Sequence, residues 1–126
     1  MLLLDTHAFL WFLNDDDRLP SEISKVIQTC DGVYISIATF WEMAVKNSLG
    51  KLELPRSVSQ MMEDCSQLSF TILPIYGRHL ERVTNLPWHH RDPFDRLLIS
   101  QAKEEGLTLV TADRNVRKYD VKTLWT

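Results

Sequence analysis

Four carboxylates stand out by type and position: Asp5 in LLLDTHAFLW, Glu42 in ISIATFWEMAVK, Asp95 in HHRDPFDRLLISQA and Asp113 in LTLVTAD. Asp5 and Asp113 each close a short apolar run of the kind that forms a buried strand. In open parallel α/β sheets, ligands bind beyond the carboxyl ends of the strands, so both acids fall where such sheets work. Each also has an ordinary reading, because an Asp after a strand often caps the next helix. Glu42 is harder to dismiss. It is the only ionisable residue between Ala38 and Val45, and a helix apolar nearly all round is a buried one. A carboxylate there is costly unless something compensates it. An i,i+4 pair with Lys46 is available, but it is worth only about 0.2–0.5 kcal/mol on an exposed face. A metal ion would account for the acid.

Asp92 and Asp95 flank Pro93 at the start of an apolar helix. Asp92 suits the N-cap, Pro93 the first helical position and Asp95 the third, where a side chain can reach back to the cap. Capping therefore accounts for both acids by itself. It does not account for Glu42, nor for four acids that could converge at one end of a sheet.

The elements that must position these acids alternate along the chain. LLL, VYISI (33–37), FTILPI (70–75), LTLVTAD and KTLW read as strands. HAFLWFLN, SEISKVIQT with Ser21 as N-cap, ATFWEMAVKNSLG, SVSQMMEDCSQL, YGRHLERVTNL and PFDRLLISQAKEEG read as helices, with NVRKY a short one. Gly50 and Gly106 sit where helix C-caps require them. The strands are continuous apolar runs, as expected where both sheet faces are covered. The expected fold is a single α/β domain over residues 1–126, with a mostly parallel central sheet flanked by helices.

Bulk properties narrow the class. The chain has 126 residues, 44% of them hydrophobic and 25% charged, as in an ordinary globular domain. Cys30 and Cys65 form no CxxC pattern and read as unpaired. The greasy amino terminus lacks a basic segment and is broken by Asp5 and His7, so it reads as structure, not a targeting signal. No run is long enough to span a membrane, and the expected location is cytoplasmic. Net charge is −3, distributed unevenly: residues 1–75 carry 5 basic and 10 acidic side chains, and residues 76–126 carry 9 and 7. An acidic total speaks against an anionic partner unless divalent cations occupy the acids.

Taken together, the four acids in this order, the DTHAFLW and HRDPFDR stretches, the Thr111-Ala112-Asp113 turn and the closing KYDV stretch resemble the PIN-domain ribonucleases. The resemblance is to toxins of the VapBC toxin–antitoxin type, and it covers essentially the whole chain. It implies a PIN-like fold and a metal-dependent endoribonuclease whose catalytic, metal-holding acids are Asp5, Glu42, Asp95 and Asp113. Asp92 then stays as the cap, with an outer-shell role open to it, and the Thr6 and Thr111 hydroxyls orient a carboxylate or a water. Mg²⁺ is the implied cofactor, with Mn²⁺ also suited to an oxygen-rich site. Acids so packed repel without a cation, which raises some of their pKa values. The resemblance further implies an RNA substrate, a cognate antitoxin protein and a homodimer.

Arg96, Arg91, Arg114 and Arg117 lie near the acids in sequence and are candidate phosphate contacts, Arg96 first because it adjoins Asp95. His7, His89 and His90 are close by. No Cys/His cluster has zinc-ligand spacing. Phe9, Trp11, Phe12, Phe40 and Trp41 read as core or subunit interface, and Met61 and Met62 as the lining of a groove for an antitoxin segment. Two other functions compete. An aspartyl phosphoryl-transfer domain could use Asp5. But His7 stands where a haloacid dehalogenase-type phosphatase wants a second Asp, and LTLVTAD lacks the Lys of a receiver domain. A non-catalytic scaffold of the same fold has no need of a costly acidic cluster.

Overall fold

The computed structural model describes residues 1–126. The chain runs β1 (Leu2–Leu4), α1 (Thr6–Leu13), α2 (Ser21–Thr29), β2 (Val33–Ser36), α3 (Ile37–Ser48), α4 (Val58–Gln67) and β3 (Thr71–Leu73). It continues with α5 (Gly77–Thr84), α6 (Pro93–Glu105), β4 (Thr108–Val110), a 3₁₀ turn (Val116–Lys118) and β5 (Thr123–Leu124). The five strands form one sheet in the order β3-β2-β1-β4-β5, and every pairing is parallel. The expected α/β class and parallel sheet are present.

β1 shows why three consecutive leucines make a central strand. Side chains alternate across a strand. Leu2 and Leu4 enter one core with Phe9, Ile23, Ile27, Phe40, Met43 and Met61 from α1 to α4. Leu3 enters the other, with Leu98, Ile99 and Ala102 of α6 and Leu109 of β4. Each such fully buried side chain contributes about 1.5–3 kcal/mol. The neighbours in register are Leu4, Ile35 and Val110, so β1 and β4 end level and β2 runs one residue further, to Ser36.

From β1 the chain steps outward through β2 to β3, then crosses back to place β4 and β5 on the other side of β1. The strand order therefore reverses between β1 and β4, and the crevice at their carboxyl ends is the place such sheets reserve for a ligand.

Several local expectations shift. Pro20, not Ser21, precedes α2, and no side chain caps that helix. The second strand stops at Ser36 because the Ser36 hydroxyl accepts from Ala38 N at 3.0 Å and opens α3. The third strand stops at Leu73, before Pro74, which has no N–H to give a ladder. At the end of α6, Gly106 takes φ +68°, a left-handed conformation that side chains disfavour. Cys30 and Cys65 are free. No helix is long and apolar enough to cross a membrane.

Candidate active site

Asp5 follows β1 and caps α1, accepting from Ala8 N at 2.9 Å. Thr111 follows β4 in the neighbouring strand position. Its hydroxyl accepts from Asp113 N at 3.1 Å and, lying beside Asp5, acts against burial to lower that carboxyl's pKa. Asp113 in turn accepts from Asn115 N at 2.8 Å, which folds the turn after β4. Asp5 is thus a true helix cap, whereas Asp113 closes a turn and caps no helix, and these bonds fix both carboxylates at the mouth of the crevice.

Asp92 caps α6, accepting from Asp95 N at 2.9 Å, with Pro93 in the first turn. Asp95, one turn in, faces the same crevice. Asp5, Glu42, Asp92, Asp95 and Asp113 all line one cleft of about 390 Å³, along with Thr6, His7, Trp11, Arg18 and Lys46. Burial is the main cause that raises the Asp95 carboxyl to about 7, and the nearby Asp92, Asp113 and Asp5 charges push the same way. Burial likewise raises Asp5. Both shifts follow from crowding acids away from water.

Glu42 has a different environment. It is buried, and both its oxygens are engaged: Thr6 Oγ1 donates to Oε1 at 2.6 Å and Lys46 Nζ to Oε2 at 2.5 Å. The i,i+4 ion pair, too weak to explain the acid on an exposed face, is therefore present in a sheltered one. The bond from Lys46 to Glu42 raises the Lys46 pKa above its ordinary value. Nor is α3 apolar all round toward the core, since Trp41 is 60% exposed. It meets Phe94 edge-on, with ring centroids 5.2 Å apart, and is not part of the core.

The open donors are then Asp5, Asp95 and Asp113. Ligand-capable atoms of His90, Asp95 and Asp113 lie within 4.8 Å of one another. His90 Nε2 is 3.2 Å from Asp95 Oδ2, and Nδ1 is 2.9 Å from the Tyr119 hydroxyl. That hydroxyl oxygen already receives Arg96 Nη1–H at 3.0 Å and His90 N–H at 3.3 Å. Its own proton has two acceptors in reach, His90 Nδ1 at 2.9 Å and His90 O at 3.3 Å; the shorter contact, to Nδ1, leaves Nε2 to carry a proton toward Asp95. His90 thus orients the Asp95 carboxylate. Clustered oxygens with a hydrogen-bonded outer shell fit a hard divalent cation.

A model of the PIN domain family matches residues 2–122. The chain belongs to the PIN domain family. Ribonuclease VapC22 of Mycobacterium tuberculosis is 25% identical over 118 residues, which is 94% of this chain and 91% of that protein. Among solved structures, VapBC2 from Rickettsia felis bound to a promoter DNA fragment is similar with TM-score 0.70 at 14% identity, covering 98% of this chain and 96% of that one. FitAcB from Neisseria gonorrhoeae is similar with TM-score 0.68 at 21% identity, covering 99% and 97%. At such identities the structural likenesses establish the fold.

In this PIN domain one expected RNA contact is corrected. Arg96 is only 2% exposed. Its guanidinium donates to Pro87 O at 2.8 Å, Leu86 O at 3.2 Å and the Tyr119 hydroxyl. A guanidinium so enclosed, with both terminal nitrogens turned to the protein's own acceptors, is not presented to a phosphate. Arg91 and Arg114 are exposed, as is Arg117 on the 3₁₀ turn. Met61 is core, and Met62 packs against it, so the expected methionine groove is absent. The sequence reading missed Tyr119 and gave Lys46 no place in the cleft. Lys46 carried a signal in its i,i+4 spacing from Glu42; Tyr119 carried only its place in the KYDV stretch, which gave it no role.

Proposed function

We propose that this PIN domain is a divalent-cation-dependent endoribonuclease, the toxin of a type II toxin–antitoxin pair. The reaction adds water across an RNA phosphodiester, breaking one P–O ester bond and leaving a phosphate end and a hydroxyl end. One observation carries the reading: Asp5, Asp95 and Asp113 meet at the switch point, and burial, with the neighbouring acids, holds the Asp95 carboxyl at about 7. A protein with no cation to bind gains nothing from that cost. The relative named as a ribonuclease and the toxin–antitoxin complexes of the same fold support the assignment.

Asp5, Asp95 and Asp113 would hold Mg²⁺ or Mn²⁺, and Glu42 would join them through Oε2 once Lys46 releases it. When bound, the cation supplies positive charge to the phosphodiester and to the departing oxygen. His90 keeps Asp95 aimed into the cleft. Thr6 fixes the Glu42 carboxylate, and Thr111 fixes the turn that carries Asp113. Arg91 and Arg114, on the exposed rim, bind flanking phosphates. A cytoplasmic homodimer silenced by an antitoxin protein completes the reading.

RNA cleavage by the purified protein tests it, with Mg²⁺ or Mn²⁺, with EDTA, and beside Asp95→Asn checked for folding by circular dichroism. Wild type cuts only with the cation, and folded Asp95→Asn does not cut. Asn can still occupy the third helical position, so a capping role alone leaves cleavage intact. A folded Asp95→Asn that cuts like wild type moves the assignment to Asp92. A wild type that cuts no RNA and binds no cation leaves the scaffold reading.

A further inference from the structure

Trp88 is 74% exposed, yet its indole is not loose. The Arg96 guanidinium carbon lies 3.7 Å from the ring centroid and covers one face. Arg96 is itself locked from behind by the carbonyls of Leu86 and Pro87 and by the Tyr119 hydroxyl. A large aromatic is thus held flat on a buried cation with its second face open to solvent. Exposing an indole forfeits the burial that usually stabilises it, and stacking on Arg96 removes the mobility that would blur its position.

The surroundings say what fits there. Trp88, His89, His90 and Arg91 line a cleft of about 720 Å³. His90 joins this cleft to the acids through its contact with Asp95. Arg91 is exposed at the rim, and residues 76–126, which carry the cleft, have 9 basic against 7 acidic side chains while the rest of the chain is acidic. An open π-face, a neighbouring cation and a carboxylate cluster alongside match one nucleotide next to the bond to be cut.

We propose that Trp88, backed by Arg96, is a stacking platform for an unpaired nucleobase beside the bond to be cut, with Arg91 on the adjoining phosphate. A base inside a duplex has both faces covered by its neighbours and cannot offer one to Trp88. Every base has a π-face, so the platform selects strandedness and not sequence. The proposal rests on the ribonuclease reading, and its test separates the two.

Asp95→Asn and the double variant Asp95→Asn/Trp88→Ala are titrated in Mg²⁺ against a short fluorescent oligoribonucleotide, alone and annealed to its complement, by anisotropy. Cleavage by wild type and by Trp88→Ala is measured separately. Losing Trp88 weakens single-strand binding about tenfold, equivalent to about 1.4 kcal/mol, and leaves duplex binding unchanged. Trp88→Phe recovers most of the loss, and an abasic site at the stacked position erases the difference between the parent and Trp88→Ala. Circular dichroism confirms that the variants are folded, and loss of the contact with Arg96 lowers their melting temperature modestly. Equal single-strand affinity with and without Trp88 overturns the platform even if wild type cuts RNA; so does the absence of any binding. A shift in oligomeric state with unchanged RNA affinity also overturns it and makes Trp88 a subunit contact. Trp88-dependent binding by a protein that cuts no RNA keeps the platform and sinks the nuclease.

Discussion

His90 and Asp95 meet at 3.2 Å, Nε2 to Oδ2, and the proton between them is placed by Tyr119, 29 residues further along the chain. The Tyr119 hydroxyl is in turn filled by Arg96 from α6. A chain of hydrogen bonds therefore runs from the protein interior to the acid that caps the cleft. Outer partners of this kind typically change metal affinity about 10–100-fold when removed. Tyr119→Phe is expected to raise the Mg²⁺ or Mn²⁺ concentration needed for half-maximal cleavage at least about tenfold, with the cation-saturated rate much less affected. His90→Gln, which keeps a donor near Asp95, is expected to lose less than His90→Ala. Cation titrations of cleavage, and of melting temperature at matched pH, check both. Unchanged cation dependence in Tyr119→Phe would remove the relay from the mechanism.

Lys46 occupies Glu42 from within the same cleft, as a cation supplied by the chain itself. Lys46→Met leaves Glu42 buried with one unpaired oxygen. That is expected to cost about 1–3 kcal/mol of stability without divalent cation. Mg²⁺ or Mn²⁺ should then restore more stability in the variant than in wild type, because Oε2 becomes free to bind it. Urea unfolding with and without the cation reads both effects. Equal cation stabilisation of the two proteins places Glu42 outside the cation's reach.

The acids were legible in the sequence because each interrupts or closes an apolar run, and strand ends in parallel sheets converge. Asp5 and Asp113 needed only that rule. The fate of the cations was not legible. Whether Arg96 points at solvent or inward depends on where the Leu86 and Pro87 carbonyls and Tyr119 come to rest, and those are set by the packing of α5 on α6. Trp41 shows the same limit. Its apolar neighbours suggest a buried helix, but which face of α3 meets the sheet is decided by tertiary contacts, and Trp41 lies on the other face.

Arg96 and Arg91, five residues apart, should respond in opposite ways to substitution. Arg96→Ala leaves two carbonyls and the Tyr119 hydroxyl without their donor and is expected to destabilise by at least about 2 kcal/mol. Arg96→Lys is expected to recover little, since a point charge cannot replace the planar fork. Arg91→Ala is expected to leave stability unchanged and to weaken RNA binding across sequences, lowering the salt slope by about one. Thermal melts and salt-dependent binding of the four proteins separate the roles. A stable, folded Arg96→Ala with weakened RNA binding reverses the assignment.

The last expectation concerns pH without divalent cation. The Asp95 carboxyl sits at about 7 in the folded protein against 3.8 for an ordinary Asp, chiefly through burial, and Asp5 is raised for the same first reason. Between these values the folded state binds more protons than the unfolded one. Stability therefore falls as pH rises through that window. Relative to Asp95→Asn, which carries the same histidines, the cation-free protein is expected to lose stability between about pH 5 and about pH 7.5. Asp95→Asn removes the largest such contribution and flattens the profile. Saturating Mg²⁺ or Mn²⁺ does the same from the other side, stabilising the charged acids most at the higher pH. A wild type and Asp95→Asn with the same pH dependence contradict the buried, acid-crowded Asp95 on which the functional reading stands.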